Sequence, residues 1–197
     1  MADAGEIAPL IRNLCLADPA KRAAAASEIF TRGSAMAGGA VQEWLAFPPL
    51  AKLLVHDPSG ALETTVGVAV EPDNFERMRS ANGSPPLAEV PPDQDAKEFE
   101  LEFPDCVRLD ILTTREPGGA GAIARYLLKF GEGIQQVEVR VTDVDGATEI
   151  LRGRFALEPI YPATRAGADG TRINFFLVPR AGGGKVLIEL VESAPKS

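Results

Sequence analysis

The sequence predicts an α+β fold: paired βαβββ modules that form a curved mixed sheet, preceded by an N-terminal α-helical appendage. Three observations lead there. Residues 1–60 space their apolar side chains for helices. From Leu62 onward the period of the pattern changes to two, the period of strands. And a strand, acid, helix, strand order occurs twice, which is the mark of two modules that each need a partner to cover a sheet face.

In the first segment, Ile7, Leu10, Ile11 and Leu14 make one apolar helical face. Asp18-Pro19 reads as an N-cap followed by proline at the first helical position. The alanine-rich run after it favours helix, and Gly33 is the expected stop. A third, weaker helix is expected around Val41, Trp44 and Leu45, and Pro48-Pro49 with Leu50, Leu53 and Leu54 forms a short apolar segment. The turn His56-Asp57-Pro58-Ser59-Gly60 is the expected boundary, giving a helical appendage over 1–60 and a second domain over 61–193. His56 is the single histidine, so a mechanism that needs two is excluded. Its place in a turn points to a structural role.

The second segment opens with a strand in which Val66, Val68 and Val70 alternate with Thr65, Gly67 and Ala69. Glu71-Pro72-Asp73 starts a short helix, and the proline-rich acidic stretch after Asn82-Gly83 reads as a loop. Two strands follow, KEFELEF and CVRLDILTT, with Phe99, Leu101 and Phe103 on one face and Glu98, Glu100 and Glu102 on the other. GGAGA then leads into the helix IARYLLKF, which Gly131 ends. The glycines loosely resemble a dinucleotide fingerprint, but the linker TTREP is too long for the tight turn such a site needs. A helix start there can still take a phosphate. Val137, Val139 and Val141 alternate in the next strand, Asp143 and Asp145 mark a helix start, RAGADG is a loop, and RINFFLV and KVLIELVE are the closing strands around a turn at Pro179–Gly184.

Composition narrows the function. Net charge is −8 with a pI near 4.8, which opposes nucleic acid or an anionic membrane surface as partner, since both need a basic footprint. No apolar run spans a bilayer, and the first ten residues carry no export signal, so a cytoplasmic setting is expected. Cys15 and Cys106 stand far apart, which opposes a disulfide framework or a cysteine metal cluster. TTVGVAVEPDNFERM matches QQVEVRVTDVDGATEIL, and CVRLDIL matches KVLIEL. Thr65, Asp110, Gln136 and Glu189 thereby hold equivalent places in the two halves, and pseudo-symmetry is expected to make them converge.

The stretches ARYLLKFGEGIQQVEVRVTDVDGATEIL and GTRINFFLVPRAGGGKVLIELVE carry a resemblance to the vicinal-oxygen-chelate superfamily of glyoxalase, bleomycin-resistance and dioxygenase proteins. Within it they resemble the methylmalonyl-CoA epimerase family, over roughly residues 62–192. The resemblance implies a divalent metal site of four side chains, falling on Thr65, Asp110, Gln136 and Glu189. Both positions where the family has histidine hold other residues here, Thr65 and Gln136, which opposes a transition metal. Three alternatives stay open: a hard cation held through oxygen ligands, a metal-free site with Glu189, Glu138 or Glu100 as catalytic base, or a pocket that binds without chemistry. The resemblance also implies a small carbonyl or acyl-thioester ligand, epimerase or isomerase chemistry, and a homodimer. The contrasting expectation is a non-catalytic binding or interaction protein on the same scaffold.

Overall fold

The computed structural model describes residues 4–180 and 183–193. Ala181 and Gly182, in the turn expected between the last two strands, lie outside the described residues. The helices are α1 (Ala4–Asn13), α2 (Pro19–Leu45), α3 (Pro48–Ala51), α4 (Pro72–Ala81), α5 (Ala122–Phe130) and α6 (Val144–Phe155). The strands are β1 (Thr64–Ala69), β2 (Ala96–Phe103), β3 (Val107–Thr114), β4 (Gly133–Val141), β5 (Arg165–Ala166), β6 (Arg172–Pro179) and β7 (Lys185–Glu192). The α+β class holds, and the chain divides into two compact units: residues 1–33 with 65–135, and residues 34–64 with 136–197.

In the first unit the strand order is β2-β3-β1. β1 runs parallel to β3, with Gly67 opposite Asp110, and β2 runs antiparallel to β3, with Glu100 opposite Asp110. Side chains alternate across a strand, so Val66, Val68, Phe99, Leu109 and Ile111 share a buried face. Phe75 of α4 meets Phe99 edge to face at 4.8 Å. The loop between α4 and β2 makes a partial ladder, with the Ala88 N–H donating to the Glu98 carbonyl.

In the second unit the order is β4-β7-β6-β5, with β4 parallel to β7 and β6 antiparallel to β7. β1-α4-β2-β3 and β4-α6-β6-β7 therefore repeat the same pairing rules, with the two-residue β5 added in the second. Val137, Val139, Val141, Phe176, Val178, Val186, Ile188 and Leu190 face one core, which Ala37, Trp44, Leu50, Leu54, Val144, Ala147 and Leu151 close from the helix side. Burying Trp44 or Phe176 stabilises by about 2–3 kcal/mol each. The segment before β1 is stitched to the end of β4: Val55 N–H donates to the Arg140 carbonyl, and Thr142 N–H to the Leu53 carbonyl.

Two local expectations hold on their chemistry. Asp18 caps α2, its carboxylate accepting from the Ala20 N–H at 2.9 Å. Asp143 caps α6, accepting from the Gly146 N–H at 2.9 Å. Beside it the Thr164 hydroxyl and the Arg172 guanidinium donate to the Asp145 carboxylate and hold it below its usual range.

The expected helix stop at Gly33 is corrected. α2 runs through Gly33 and through Gly38-Gly39 to Leu45, taking in the expected third helix. Gly33 is there for contact rather than termination: a Cβ would lie 2.5 Å from Val66 Cγ1. Packing against the sheet outweighs the roughly 1 kcal/mol that glycine costs a helix. The loop expected at RAGADG is also corrected in part, because Arg165 and Ala166 pair with Ile173 and Arg172 as β5.

Gly33→Ala is expected to destabilise the protein by about 1–3 kcal/mol, since valine is stiff at χ1 and cannot step aside. Val66→Ala in the same chain is expected to recover part of the loss, measured by urea denaturation. Tyr126 yields a pH prediction. Its hydroxyl donates to the Ile134 carbonyl at 2.8 Å, and burial pushes its pKa up to about 12. The folded value is above the unfolded one, so the contribution is complete below about pH 10 and is lost as pH rises through about 12. Absorbance titration of tyrosinate is expected to show a late component that Tyr126→Phe removes.

Candidate functional site

The second unit brings three of the expected residues together. The β4–β7 register sets Glu138 directly opposite Glu189, and Gln136 opens the next row of the same face. This face is turned away from the core, because Val137, Val139, Ile188 and Leu190 take the other one. The Gln136 amide donates to Glu189 Oε2 at 2.5 Å and to Glu138 Oε1 at 3.2 Å. Gln136 and Glu189 are only 6% and 7% exposed, and Glu138 is half-buried. One neutral amide thus uses both its N–H groups on two carboxylates.

The antiparallel partner strand completes this face. Phe175 of β6 is opposite Glu189, Leu177 is opposite Leu187, and Ile173 is opposite Val191. The acids are therefore edged by an apolar half-sheet. Tyr161 meets the Phe175 ring at 6.0 Å, and the Arg165 guanidinium lies 4.3 Å over the Tyr161 ring. Arg140, two residues after Glu138 on the same face of β4, pairs with Glu63 at 3.0 Å.

The first unit holds the other expected residues. Glu100 and Asp110 are opposite each other, and Thr65 lies on their face, two residues before Gly67. Thr65 is buried and Glu100 exposed. The register supports the equivalences read from the repeat. Thr65 precedes the partner of Asp110 by two residues, as Gln136 precedes the partner of Glu189. Glu100 then corresponds to Phe175, an equivalence the sequence comparison missed. The sequence places the hairpin between these strands but not its register, and it is the register that sets Phe175 opposite Glu189.

The other candidates fall away from this chemistry. His56 is exposed in an isolated bridge with Leu62. The start of α5 faces an acid, since a Cβ at Gly121 would sit 2.5 Å from Asp95 Oδ2, and an acid there repels a phosphate. The donor set does not fit a transition metal. Gln136 presents its amide nitrogen, which has no lone pair for a cation, and the acids accept from it. Among the described residues no group of three or more His, Cys, Asp or Glu could hold an ion. No helix among them is long and apolar enough to cross a membrane.

Repeated strand–helix–strand modules with matching registers, each with an acid on the face away from its core, define a protein of the vicinal-oxygen-chelate type. The solved structures narrow this. Methylmalonyl-CoA epimerase from Mycobacterium tuberculosis is 33% identical, over 66% of this chain and 87% of that one, with a TM-score of 0.54. The chain belongs to the methylmalonyl-CoA epimerase family of the vicinal-oxygen-chelate superfamily. A Streptomyces coelicolor epimerase variant in complex with 2-nitronate-propionyl-CoA is 26% identical over 72% of this chain and 96% of that one, TM-score 0.55. A methylmalonyl-CoA epimerase in complex with methylmalonyl-CoA and ammonium matches over the same shares, at 26% identity and TM-score 0.55. No protein-family model matches the sequence, and no curated protein matches it.

Gln136→Met, which keeps the length and removes both donors, is expected to cost about 1.5–3 kcal/mol, the range for hydrogen bonds to charged groups. Denaturant unfolding checks it. Gln136→Glu, which puts a third carboxylate in the cluster, is expected to cost more.

Proposed function

We propose that this chain binds an acyl thioester of the coenzyme A type and moves the proton alpha to its carbonyl, without a transition metal. The observation that carries the reading is the buried Glu189 carboxylate held by Gln136, on the face that Phe175 and Leu187 make apolar, in a chain of the epimerase family. A buried carboxylate in a fixed position suits general-base work, because the base must sit within hydrogen-bond reach of the proton it takes.

In this reading Glu189 accepts the α-proton, and the C–H electron pair moves into an enolate on the thioester. Gln136 keeps Glu189 in one rotamer, so less ordering is left for the moment of reaction. Glu138, half-buried and opposite Glu189, passes protons between it and solvent. Phe175 and Leu187 exclude water from the reacting carbon. The relatives support the substrate class: one was solved with methylmalonyl-CoA, another with a propionyl-CoA nitronate. Epimerisation is the form this proton transfer takes when the α-carbon is a stereocentre.

The test is incorporation of deuterium from heavy water at the α-carbon of methylmalonyl-CoA. Wild type is expected to exchange, and Glu189→Gln to lose about 10²–10⁴-fold in rate with thioester binding retained. Undiminished exchange in Glu189→Gln removes the base from the mechanism. Binding with no exchange in wild type leaves the non-catalytic binding scaffold, which the replacement of the family's histidine by Gln136 favours.

A further inference from the structure

Between α6 and β5 the second unit carries a segment that proton transfer does not use. Every residue from 156 to 166 is half-buried or exposed, while both flanks are anchored. On one flank Leu151 is fully buried, and its carbonyl accepts from the Leu157 N–H at 3.1 Å. On the other Gly167 is buried, and a Cβ there would lie 2.5 Å from Thr171 Oγ1 and 2.6 Å from Ile173 Cγ2. A segment without a fully buried side chain, strung between fixed ends, has little packing to hold it down.

Specific contacts hold it on β6 instead. The Ile160 N–H donates to the Phe175 carbonyl at 2.7 Å. The Tyr161 ring meets the Phe175 ring edge to face at 6.0 Å, and Phe175 is opposite Glu189. The Thr164 hydroxyl donates to Asp145 Oδ1. Asp145 is itself set from the fixed side. Its Oδ2 accepts from Arg172, which also donates to Glu192 Oε2 at 2.9 Å. That same Glu192 oxygen accepts from the Val144 N–H at 2.9 Å. The start of α6, β6 and β7 thus make the fixed half of a latch, and Thr164 is the half that can leave. The Asp145 side chain is 60% exposed, so water takes the place of the hydroxyl when it departs, and little free energy separates latched from unlatched.

We infer that residues 157–166 are a gate at the edge of the Glu189 face, latched by the Thr164 hydroxyl on Asp145. The gate serves the face of the proposed function and rests on that reading. Closed, it lays Tyr161 against Phe175, the aromatic side chain across from Glu189. Opening turns the segment about Ala156, which already has the left-handed φ of 52°, and frays the two-residue β5. It breaks the Ile160 bond and lifts Tyr161 from Phe175. A thioester then enters along Phe175, and reclosure shuts water out for the proton transfer. Thr164 and Asp145 touch neither the proton nor the thioester. They are positioning residues that set how often the gate stands open, not how well the closed form binds.

The experiment compares wild type with Thr164→Val, which removes the hydroxyl, and Thr164→Ser, which keeps it. Hydrogen exchange with mass spectrometry reads the amides of residues 157–166. Stopped-flow mixing reads the association and dissociation rate constants of propionyl-CoA, with melting temperature as a control on folding. Thr164→Val is expected to speed exchange of the Ile160 amide about 3- to 10-fold, the worth of one hydrogen bond, while the amides of β4 and β7 keep their rates. It is expected to raise both rate constants by a similar factor and to leave Kd within about twofold, because the latch closes free and bound protein alike. Thr164→Ser is expected to behave as wild type. Unchanged exchange in Thr164→Val overturns the latch. Faster exchange with unchanged rate constants overturns the gate and leaves the proposed function standing. A rise in dissociation alone, with weaker Kd, also overturns the gate, because the residue would then support only the bound form. Failure of wild type to bind the thioester overturns the proposed function and the gate together.

Discussion

Everything specific about this protein depends on the parallel register of β4 on β7. It sets Glu138 opposite Glu189 and leaves Gln136 one row away, close enough for its amide to reach both. A slip of β4 by one residue would turn Gln136 and Glu138 into the core and bring Val137 out. The cost of that exchange, several buried aliphatic side chains against several desolvated polar ones, is what holds the polar cluster in place. The site is thus a consequence of the core behind it.

The same cluster explains how a member of the epimerase family can hold two acids close together without the family's histidines. Two neighbouring carboxylates in a partly dry setting repel, and something must donate to both. A cation does this by charge. Gln136 does it by hydrogen bonds, one N–H to each acid. This is weaker compensation, and it changes what the site can do. An amide positions and orients a carboxylate. It does not draw charge from a substrate carbonyl as a metal ion does, so any enolate here needs its stabilisation from other donors.

The helices contribute in two different ways. Gly33 lets α2 approach β1 closely enough that a methyl group would collide with Val66. Trp44, Leu50 and Leu54 fill the core on which β4, β6 and β7 lie. The first is a constraint of close approach and the second a supply of apolar volume. The strands that bear Glu138 and Glu189 rest on the second, so the N-terminal segment supports the site without touching its chemistry.

Much of the fold was legible from residue patterns, for local reasons. Asp18-Pro19 and Asp143 cap helices through bonds to N–H groups two or three residues on, and Gly131 ends α5 with a positive φ of 71°. The alternation in β2 and β4 separates the apolar core row from a polar row. The match between the halves made Gln136 and Glu189 equivalent to Thr65 and Asp110. Gly33 was misread, because in the chain alone a glycine after a helical run looks like a stop. Its partner Val66 is more than thirty residues away. Arg165 and Tyr161 were invisible for the same reason: nothing in RAGADG predicts a stack, and only the edge of β6 brings them to Phe175. The sequence by itself determined most of the strands and helix starts and which side of them faces inward, since those follow from spacing and capping within a few residues. Only the tertiary structure decided which strands pair and which polar groups share a donor. Register is set by packing across the whole sheet, and a hydrogen bond between residues 136 and 189 has no local cause.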